Sequence, residues 1–387
     1  MDELEILEKI INPYKANLDQ VRCLNMRHKA MTCQACVQAC PSRALTPGNP
    51  VKIIPERCAG CGLCVPSCPT GALSLSQLSY ARVLGRLKPE GKVALACAET
   101  SGGPDAITVP CLAFLSPEVL AAGVLKNQAL IVDFDEARCR TCELKAGERV
   151  KSSLARTRDL LEASGGGELV ISPGAAAQER TLSRREFFGF FKKRAAQKVT
   201  EILPEEELPP HHLRDKFLPE GKALFFHRVR EARGKGLTGG KGERTVPGLH
   251  LDYVWIGEAC NLCGDCSLFC PTGALERRET KTTFQLLFDP QRCLGCGLCH
   301  LVCRKQAVTL MKEEVAWEEL LSGGGILLLE KEHRLCQICE RKFVPEKDEE
   351  LCPDCQRKTA RENLWLELAR LPEKKAELKG PPQEITQ

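Results

Sequence analysis

The chain has 387 residues, more than one compact core usually holds, and its 55 Lys and Arg nearly balance its 51 Asp and Glu. This near-neutral charge gives no general reason to expect nucleic acid or an anionic membrane surface as the main partner. Only 5% of the residues are aromatic, whereas 24 are cysteines, so small domains held together by cysteine chemistry are expected.

Disulfides and metal ligation are the two uses that so many cysteines allow. The N-terminus reads MDELE, which is acidic and lacks the basic and apolar regions of a secretion signal. No apolar run approaches the roughly 18 residues of a membrane span, and most cysteines stand in C-x2-C pairs. The sequence therefore predicts metal-binding thiolates in a cytoplasmic protein with no transmembrane segment.

One cysteine pattern recurs along the chain. Residues 58–73 read CAGCGLCVPSCPTGAL and residues 260–275 read CNLCGDCSLFCPTGAL, both of the form C-x2-C-x2-C-x3-C-P. Residues 293–303 (CLGCGLCHLVC) are a third copy, and residues 33–45 (CQACVQACPSRAL) are a weaker fourth copy that Cys23 precedes. Three thiolates at this spacing wrap one face of an iron–sulfur cubane, and the fourth lies beyond that reach.

The copies form two pairs, and each pair resembles the bacterial two-cluster ferredoxin, over about 100 residues in all. In that family the fourth cysteine binds the neighbouring cluster, and the proline after it ends the loop before a short helix. The resemblance implies four [4Fe–4S] clusters at sites 1 to 4. Their ligands would be Cys40, Cys58, Cys61 and Cys64 at site 1; Cys23, Cys33, Cys36 and Cys68 at site 2; Cys270, Cys293, Cys296 and Cys299 at site 3; and Cys260, Cys263, Cys266 and Cys303 at site 4.

Two departures from the ferredoxin pattern affect sites 2 and 4. The separation between Cys23 and Cys33 is longer than in the family, so a cluster held by three cysteines is the alternative at site 2. Arg304, and not proline, follows Cys303, so the loop exit is expected to differ and the cation to raise the reduction potential of site 4. Zinc is the alternative to iron at all four sites, although zinc favours two knuckles over interlocked triplets.

Residues 90–175 alternate between short apolar strands and helices. Strands are predicted at 93–96, 107–109, 129–132 and 169–171, and helices at 117–126, with Ser116 as N-cap, and at 148–163. This alternation predicts a small α/β domain with a parallel sheet. Four cysteines follow its strands, and strand ends of such a sheet converge on one edge, so these thiols are expected to meet at site 5. They are Cys97, Cys111, Cys139 and Cys142.

This arrangement resembles the delta subunit of methyl-viologen-reducing hydrogenase over roughly 55 residues. The shared features are a cysteine after the first strand, a V-x-C-x motif at Val109–Leu112, a helix, an apolar strand and then paired cysteines. That family passes electrons between a hydrogenase and a flavin disulfide reductase through a [2Fe–2S] centre. The resemblance implies a fifth iron–sulfur centre, [2Fe–2S] or [4Fe–4S], at site 5. One structural zinc and plain buried thiols are the alternatives.

Residues 176–249 are predicted to be a linker, because Pro, Gly, Glu and Lys accumulate there. One amphipathic helix is expected after residue 181, where Ser183 and Glu186 have the spacing of a capping box. Several Phe side chains fall on one face of that helix. We expect it to dock onto a partner protein, and contact with a membrane surface is the alternative.

Residues 325–358 begin with an apolar strand at 326–329 and continue with two C-x2-C pairs, followed by a charged helix and tail at 359–387. The spacing is typical of a zinc ribbon, in which knuckles at the tips of two β-hairpins hold one structural zinc. Rubredoxin-type iron is the alternative, although Glu340 stands where that site usually has Gly. The four cysteines of this site 6 are Cys336, Cys339, Cys352 and Cys355.

The predicted fold is α+β and multidomain. It comprises an N-terminal helix with a ferredoxin-like (βαβ-type) dicluster domain at 1–85, the α/β domain, the linker, a second dicluster domain at 250–312 and the ribbon. We find no dinucleotide fingerprint, P-loop or Ser/His/Asp arrangement, so catalysis by this protein alone is not expected.

The expected function is a polyferredoxin-like relay of electrons through four or five clusters. It would serve between donor and acceptor subunits of an anaerobic oxidoreductase complex, without nucleic acid. Two alternatives remain: a redox-sensing or nucleic-acid-associated regulator, and catalysis at a site-differentiated cluster.

Overall fold

A computed structural model describes residues 14–87, 94–100, 106–172, 216–234, 252–311 and 320–370, apart from residues 322 and 324. The predicted N-terminal helix before residue 14, the docking helix after residue 181 and the tail after residue 370 lie outside these residues. Within the part of the protein that is described, no helix combines the length and the apolar character that a membrane crossing needs.

The first dicluster domain is built on two antiparallel strand pairs. β1 (Ala16–Leu18) and β2 (Leu45–Thr46) pair with β4 (Leu73–Leu75) and β3 (Lys52–Ile53), respectively. Its helices are α1 (Leu24–Arg27), α2 (Ala35–Ala39), α3 (Cys64–Ser67) and α4 (Tyr80–Gly85). Both α2 and α3 precede the fourth cysteine of their motifs. A turn and a strand, and not the expected helix, follow each proline, because the polypeptide returns there to its antiparallel partner.

The middle domain is an α/β unit with one parallel sheet of four strands, in which the second strand along the chain lies at one edge and is followed by the first, the third and the fourth. The strands are β5 (Ala94–Cys97), β6 (Ile107–Val109), β7 (Ala129–Asp133) and β8 (Glu168–Ser172), and the helices are α5 (Pro117–Asn127), α6 (Glu136–Thr141) and α7 (Gly147–Ser164). Ser116 caps α5, since its hydroxyl accepts a hydrogen bond from the main-chain N–H of Val119 at 3.4 Å. These elements lie within two residues of their predicted positions, apart from α6, which was not predicted.

Helix α8 (Glu220–Gly234) occupies the middle of the segment that the sequence analysis treats as a linker. It packs along α5 of the middle domain and buries Leu224, Phe225, Phe226 and Val229 almost completely. Charged residues alternate with these apolar positions in the sequence. The overall composition of the segment therefore resembles that of a linker, and the apolar face is not obvious from it. This part of residues 176–249 therefore belongs to the hydrophobic core.

The second dicluster domain repeats the antiparallel plan of the first. Its elements are β9 (Tyr253–Ile256), α9 (Asp265–Phe269), β10 (Leu275–Glu279), β11 (Thr283–Phe288), α10 (Leu298–Val302) and β12 (Val308–Met311), with β9 paired to β12 and β10 to β11. The strand expected in the ribbon, β13 (Ile326–Glu332), pairs with β11 and so extends this domain's sheet. Among the described residues of the two dicluster domains every strand pair is antiparallel, so these strands do not form the βαβ crossover that the sequence predicts.

The C-terminal module is a short hairpin followed by a helix. β14 (Arg334–Leu335) pairs with β15 (Lys342–Phe343), and α11 (Pro353–Arg370) follows. The first cysteine pair lies in the hairpin, whereas the second lies at the start of α11 and not at the tip of another hairpin as expected. The helix consequently begins six residues earlier than the sequence predicts, because Cys355 is part of its first turn.

Candidate metal centres

Site 1 is a small cavity between the two strand pairs of the first dicluster domain. All four of its predicted cysteines line the cavity, together with Leu45 and Ile53. Burial first, and then the charges of Cys61, Cys58 and Cys40, raise the pKa of Cys64 to about 12. This raised pKa keeps the Cys64 thiol protonated on its own, and a positively charged iron core would favour its thiolate form.

Site 2 adjoins β1 and β4, and its cavity is lined by all four predicted cysteines, Cys23 among them. Burial is the largest cause that raises the pKa of Cys36 to about 12, and the charges of Cys68, Cys33 and Cys23 contribute to the same shift. Cys23 itself is 7% exposed, so the structure brings it to the other three thiols despite the long separation in sequence.

The buried side chain of Asn25 closes the loop between Cys23 and Cys33. Its Oδ1 accepts a hydrogen bond from the Cys33 N–H at 2.7 Å, and its Nδ2 donates to the Cys33 carbonyl at 3.1 Å. Nδ2 also donates to the carbonyl of Gly48 at 2.9 Å. The sequence does not predict this role for Asn25. Its partners are main-chain groups of Cys33 and Gly48, and the residues next to Asn25 give no sign of these contacts.

Site 3 is a cavity lined by its four predicted cysteines beneath Val254 and Phe288. Burial raises the pKa of Cys296 to about 11, with further contributions from Cys270 and Cys293. At site 4, burial raises the pKa of Cys266 to about 12, and Cys260, Cys263 and Cys303 contribute to the effect. Site 4 reaches the surface, since Cys263 is exposed.

The fourth cysteine of every motif accepts the same hydrogen bond. The main-chain N–H four residues further on donates to its Sγ at 3.2–3.3 Å, and an alanine occupies that position each time. Hydrogen bonds to sulfur favour the thiolate and tune the potential of an iron–sulfur cluster. The loop exit after Cys303 therefore matches the other three, although Arg304 replaces proline. The four pairs are Cys40–Ala44, Cys68–Ala72, Cys270–Ala274 and Cys303–Ala307.

Site 5 lies at the carboxyl edge of the parallel sheet, where its four predicted cysteines line one cavity. Burial raises the pKa of Cys111 to about 12. Asp133 at the end of β7 lines the same cavity, is 4% exposed, and has an Oδ1 without a hydrogen-bond partner among the described residues. A buried polar atom rarely lacks a partner, so a bound metal-containing group fits this cavity.

Site 6 brings its four cysteines together most tightly. Their sulfur atoms all lie within 4.8 Å of one another, and the sulfurs of Cys339 and Cys352 are 3.7 Å apart. Thiolates around one tetrahedral zinc are separated by about 3.8 Å, given Zn–S bonds of about 2.3 Å. The N–H of Cys352 donates to Cys336 and lowers its pKa to about 6, which favours the thiolate that a metal ion binds. Glu340 takes the left-handed conformation (φ 57°) that usually selects Gly.

Neighbouring sites are within electrostatic reach of each other. Among the charges that raise the pKa of Cys64 in site 1 is Cys36 of site 2. Cys266 of site 4 likewise raises the pKa of Cys299 in site 3. Cys61 of site 1 contributes to the raised pKa of Cys111 in site 5. Sites 5, 1 and 2 are thus electrostatic neighbours, and so are sites 3 and 4.

Family models for iron–sulfur proteins match three parts of the sequence. A 4Fe-4S dicluster domain matches residues 259–307, and 4Fe-4S binding domains match residues 51–74 and 27–43. These segments contain cysteines of sites 1 to 4. The protein therefore carries 4Fe-4S binding domains in both of the halves for which the sequence predicts them.

Curated relatives match shorter parts of the sequence. An iron-sulfur protein of Rhodospirillum rubrum is 30% identical over 93 residues, which are 24% of this chain and 44% of that protein. One polypeptide of the anaerobic dimethyl sulfoxide reductase of Haemophilus influenzae is 27% identical over 88 residues, 21% of this chain and 39% of the relative. The pyruvate synthase subunit PorD of Methanocaldococcus jannaschii is 37% identical over 57 residues, which are 15% of this chain and 63% of that subunit. The matches thus cover less than two thirds of each of these relatives.

Proposed function

We propose that this protein is an electron-transfer subunit that relays electrons through four [4Fe–4S] clusters at sites 1 to 4 and a fifth iron–sulfur centre at site 5. The observation that carries the proposal is the placement of the cysteines. Sites 1, 2, 3 and 5 are each one cavity lined by one set of four, and the four thiols of site 4 interact electrostatically. Iron–sulfur clusters held in this way exchange single electrons.

The protein's own residues would tune the reduction potential of each cluster. Buried thiols and the main-chain N–H groups that donate to the fourth cysteines set the charge and polarity around each cluster. Asp133 adds a carboxylate to the cavity of site 5, which would make a reduced state there less favourable than at a site without an acidic neighbour.

The proposal also covers the complex and the compartment in which the protein works, and the metal at site 6. Two of the relatives are named as part of an anaerobic reductase and as a subunit of pyruvate synthase. We therefore propose an anaerobic oxidoreductase complex in the reducing cytoplasm, where thiolate ligands persist, with separate donor and acceptor subunits. Site 6 would hold one structural zinc that stabilises the C-terminal module and takes no part in redox chemistry.

The test is to count iron, sulfide and zinc in anaerobically purified protein, with EPR spectroscopy of the reduced form. Four clusters and one ribbon predict about 16 iron and one zinc, and a fifth centre raises iron to about 18–20. In the second case the Cys111→Ser variant should lose only the additional iron. A content of about 16 iron with two zincs would make site 5 structural, and about 8 iron or fewer after reconstitution would contradict the relay.

A further inference from the structure

The two dicluster domains meet at an apolar seam, which consists of Leu24, Leu298 and Val302. These side chains are 2%, 0% and 7% exposed, respectively. Leu24 is the first residue of α1 and directly follows Cys23 of site 2. Leu298 and Val302 are the ends of α10. Leu298 lies between Cys296 and Cys299 of site 3, and Val302 directly precedes Cys303 of site 4. The seam therefore joins the ligand-bearing loops of two different domains and excludes water between them.

One cysteine from each domain packs against this seam. Cys33 belongs to site 2 and Cys296 belongs to site 3, and both contact the seam residues. A single layer of apolar side chains thus separates the two ligand sets. Because electron tunnelling falls steeply with distance, a contact of this kind suits electron transfer between the domains.

Further contacts join the two domains, directly or through the segment before α8, beside the seam. The ring of His28 meets the ring of Phe269 edge-on, with centroids 5.6 Å apart. The guanidinium of Arg22 lies 4.1 Å from the centre of the Phe217 ring. Close to Phe217, Lys216 donates to the carbonyl of Cys270 at 2.7 Å. The segment that precedes α8 therefore contacts both domains beside the seam.

We infer that electrons cross from one dicluster domain to the other through this seam, between site 2 and site 3. Cysteines of sites 1 and 2 share one apolar cluster, cysteines of sites 3 and 4 share another, and Cys61 of site 1 packs against the core that contains Cys111 of site 5. Together with the seam, these contacts order the centres in single file as sites 5, 1, 2, 3 and 4. Each crossing is an outer-sphere transfer in which one side loses the electron that the other gains, with no bond made or broken. This inference rests on the proposed function, because it requires clusters at both sites.

The test is EPR spectroscopy of the fully reduced, cluster-loaded full-length protein. Neighbouring paramagnetic clusters split and broaden each other's signals, so we expect interaction within each domain and across the seam. Leu298→Glu places a charge in the apolar seam and should push the two domains apart, so that the interaction between sites 2 and 3 is lost. Because Leu298 also lines the cavity of site 3, the iron content of the variant is measured on the same samples. Leu301→Glu is the matched control, since this leucine lies on the same helix but is 42% exposed.

A second variant approaches the seam from the other domain. Leu24→Glu should give the same loss of interaction as Leu298→Glu, and it decides the question if Leu298→Glu fails to load site 3. Unchanged interaction between sites 2 and 3 in both variants, at full iron content, would overturn the seam while leaving the relay intact. Iron missing from the wild-type protein would instead contradict the proposed function.

Discussion

Asn25 and Arg304 both lie close to predicted cysteine ligands, but the fold buries the first side chain and exposes the second. Asn25 is buried and makes three hydrogen bonds, two with the main chain of Cys33 and one with the carbonyl of Gly48. Arg304 is 82% exposed and lies 3.7 Å from a carboxylate oxygen of Asp265. Because solvent and the neighbouring carboxylate screen its charge, Arg304 should raise the potential of site 4 less than the sequence alone suggests.

The hydrogen bonds of Asn25 lead to a prediction about site 2. Asn25→Ala leaves the partly buried Cys33 N–H without its acceptor, at a cost of about 1–3 kcal/mol, and releases the loop that carries Cys23. We expect one labile iron at site 2, seen by EPR as a three-iron signal in the oxidised protein, with the other sites unchanged. Asn25→Asp keeps the acceptor and should restore part of the four-iron cluster.

The control for Asn25 is Asn17→Ala in the same domain. Asn17 is exposed, and its amide makes one hydrogen bond to Ser76 at 3.1 Å. This variant should load site 2 like the wild-type protein. Full iron and no three-iron signal in Asn25→Ala would show that the hydrogen bonds do not hold Cys23 in place.

Helix α8 connects three parts of the molecule. Its apolar face packs on α5, and the Glu220 carboxylate accepts a hydrogen bond from the N–H of Ala81 at 2.8 Å, at the start of α4. Lys222 donates to the carbonyl of Cys293 in the second dicluster domain. A helix with few intrinsic stabilising features is thus held by tertiary packing on one side and by polar contacts at its N-terminal end.

We predict that removing a buried ring from α8 destabilises the fold. Phe226 is 1% exposed, so Phe226→Ala should lower the free energy of unfolding by about 3–5 kcal/mol through lost burial and the cavity left behind. The thermal midpoint of the cluster-loaded protein, measured by calorimetry, should fall accordingly. Arg233→Ala, at an exposed position of the same helix, should stay within about 0.5 kcal/mol of wild type. Equal midpoints for the two variants would mean that α8 does not contribute to the core.

At the scale of the whole molecule, the first dicluster domain and the middle domain approach each other closely at Gly62, between Cys61 and Cys64 of site 1. Its φ of +77° is unfavourable for other residues, and a Cβ there would lie 2.7 Å from Cδ2 of Phe114 in the middle domain. The same Cβ would lie 2.9 Å from Cδ1 of Leu75. This glycine therefore lets the cysteine loop of site 1 reach the domain that carries site 5.

Gly62→Ala should separate these two parts of the molecule. We expect a loss of stability of about 1–2 kcal/mol from backbone strain, and more from the displaced Phe114 ring. If site 5 is paramagnetic when reduced, its EPR interaction with site 1 should weaken as well. Gly166→Ala is the control for strain alone, because Gly166 also has a positive φ (+97°) but no atom within 4 Å of its Cβ position. Equal effects of the two substitutions would show that the close approach is unimportant.

Local sequence was enough to predict that this protein binds iron–sulfur clusters, because ligand type and spacing are properties of a few adjacent residues. The matched 4Fe-4S domains confirm that coarse prediction. The elements of the middle domain also follow from local apolar patterning and from the cap at Ser116. The ligand sets of sites 1 to 4, the fifth centre and the zinc stay predictions that the metal counts will test.

Long-range contacts decided the rest. The role of Asn25, the burial of α8 and the seam at Leu24 and Leu298 all depend on residues that are distant in sequence. The sequence does not reveal the roles of these residues, since each role depends on a partner that only the folded structure brings near. The strand β13 was assigned to the wrong module for the same reason: its pairing partner β11 lies about 40 residues earlier in the sequence.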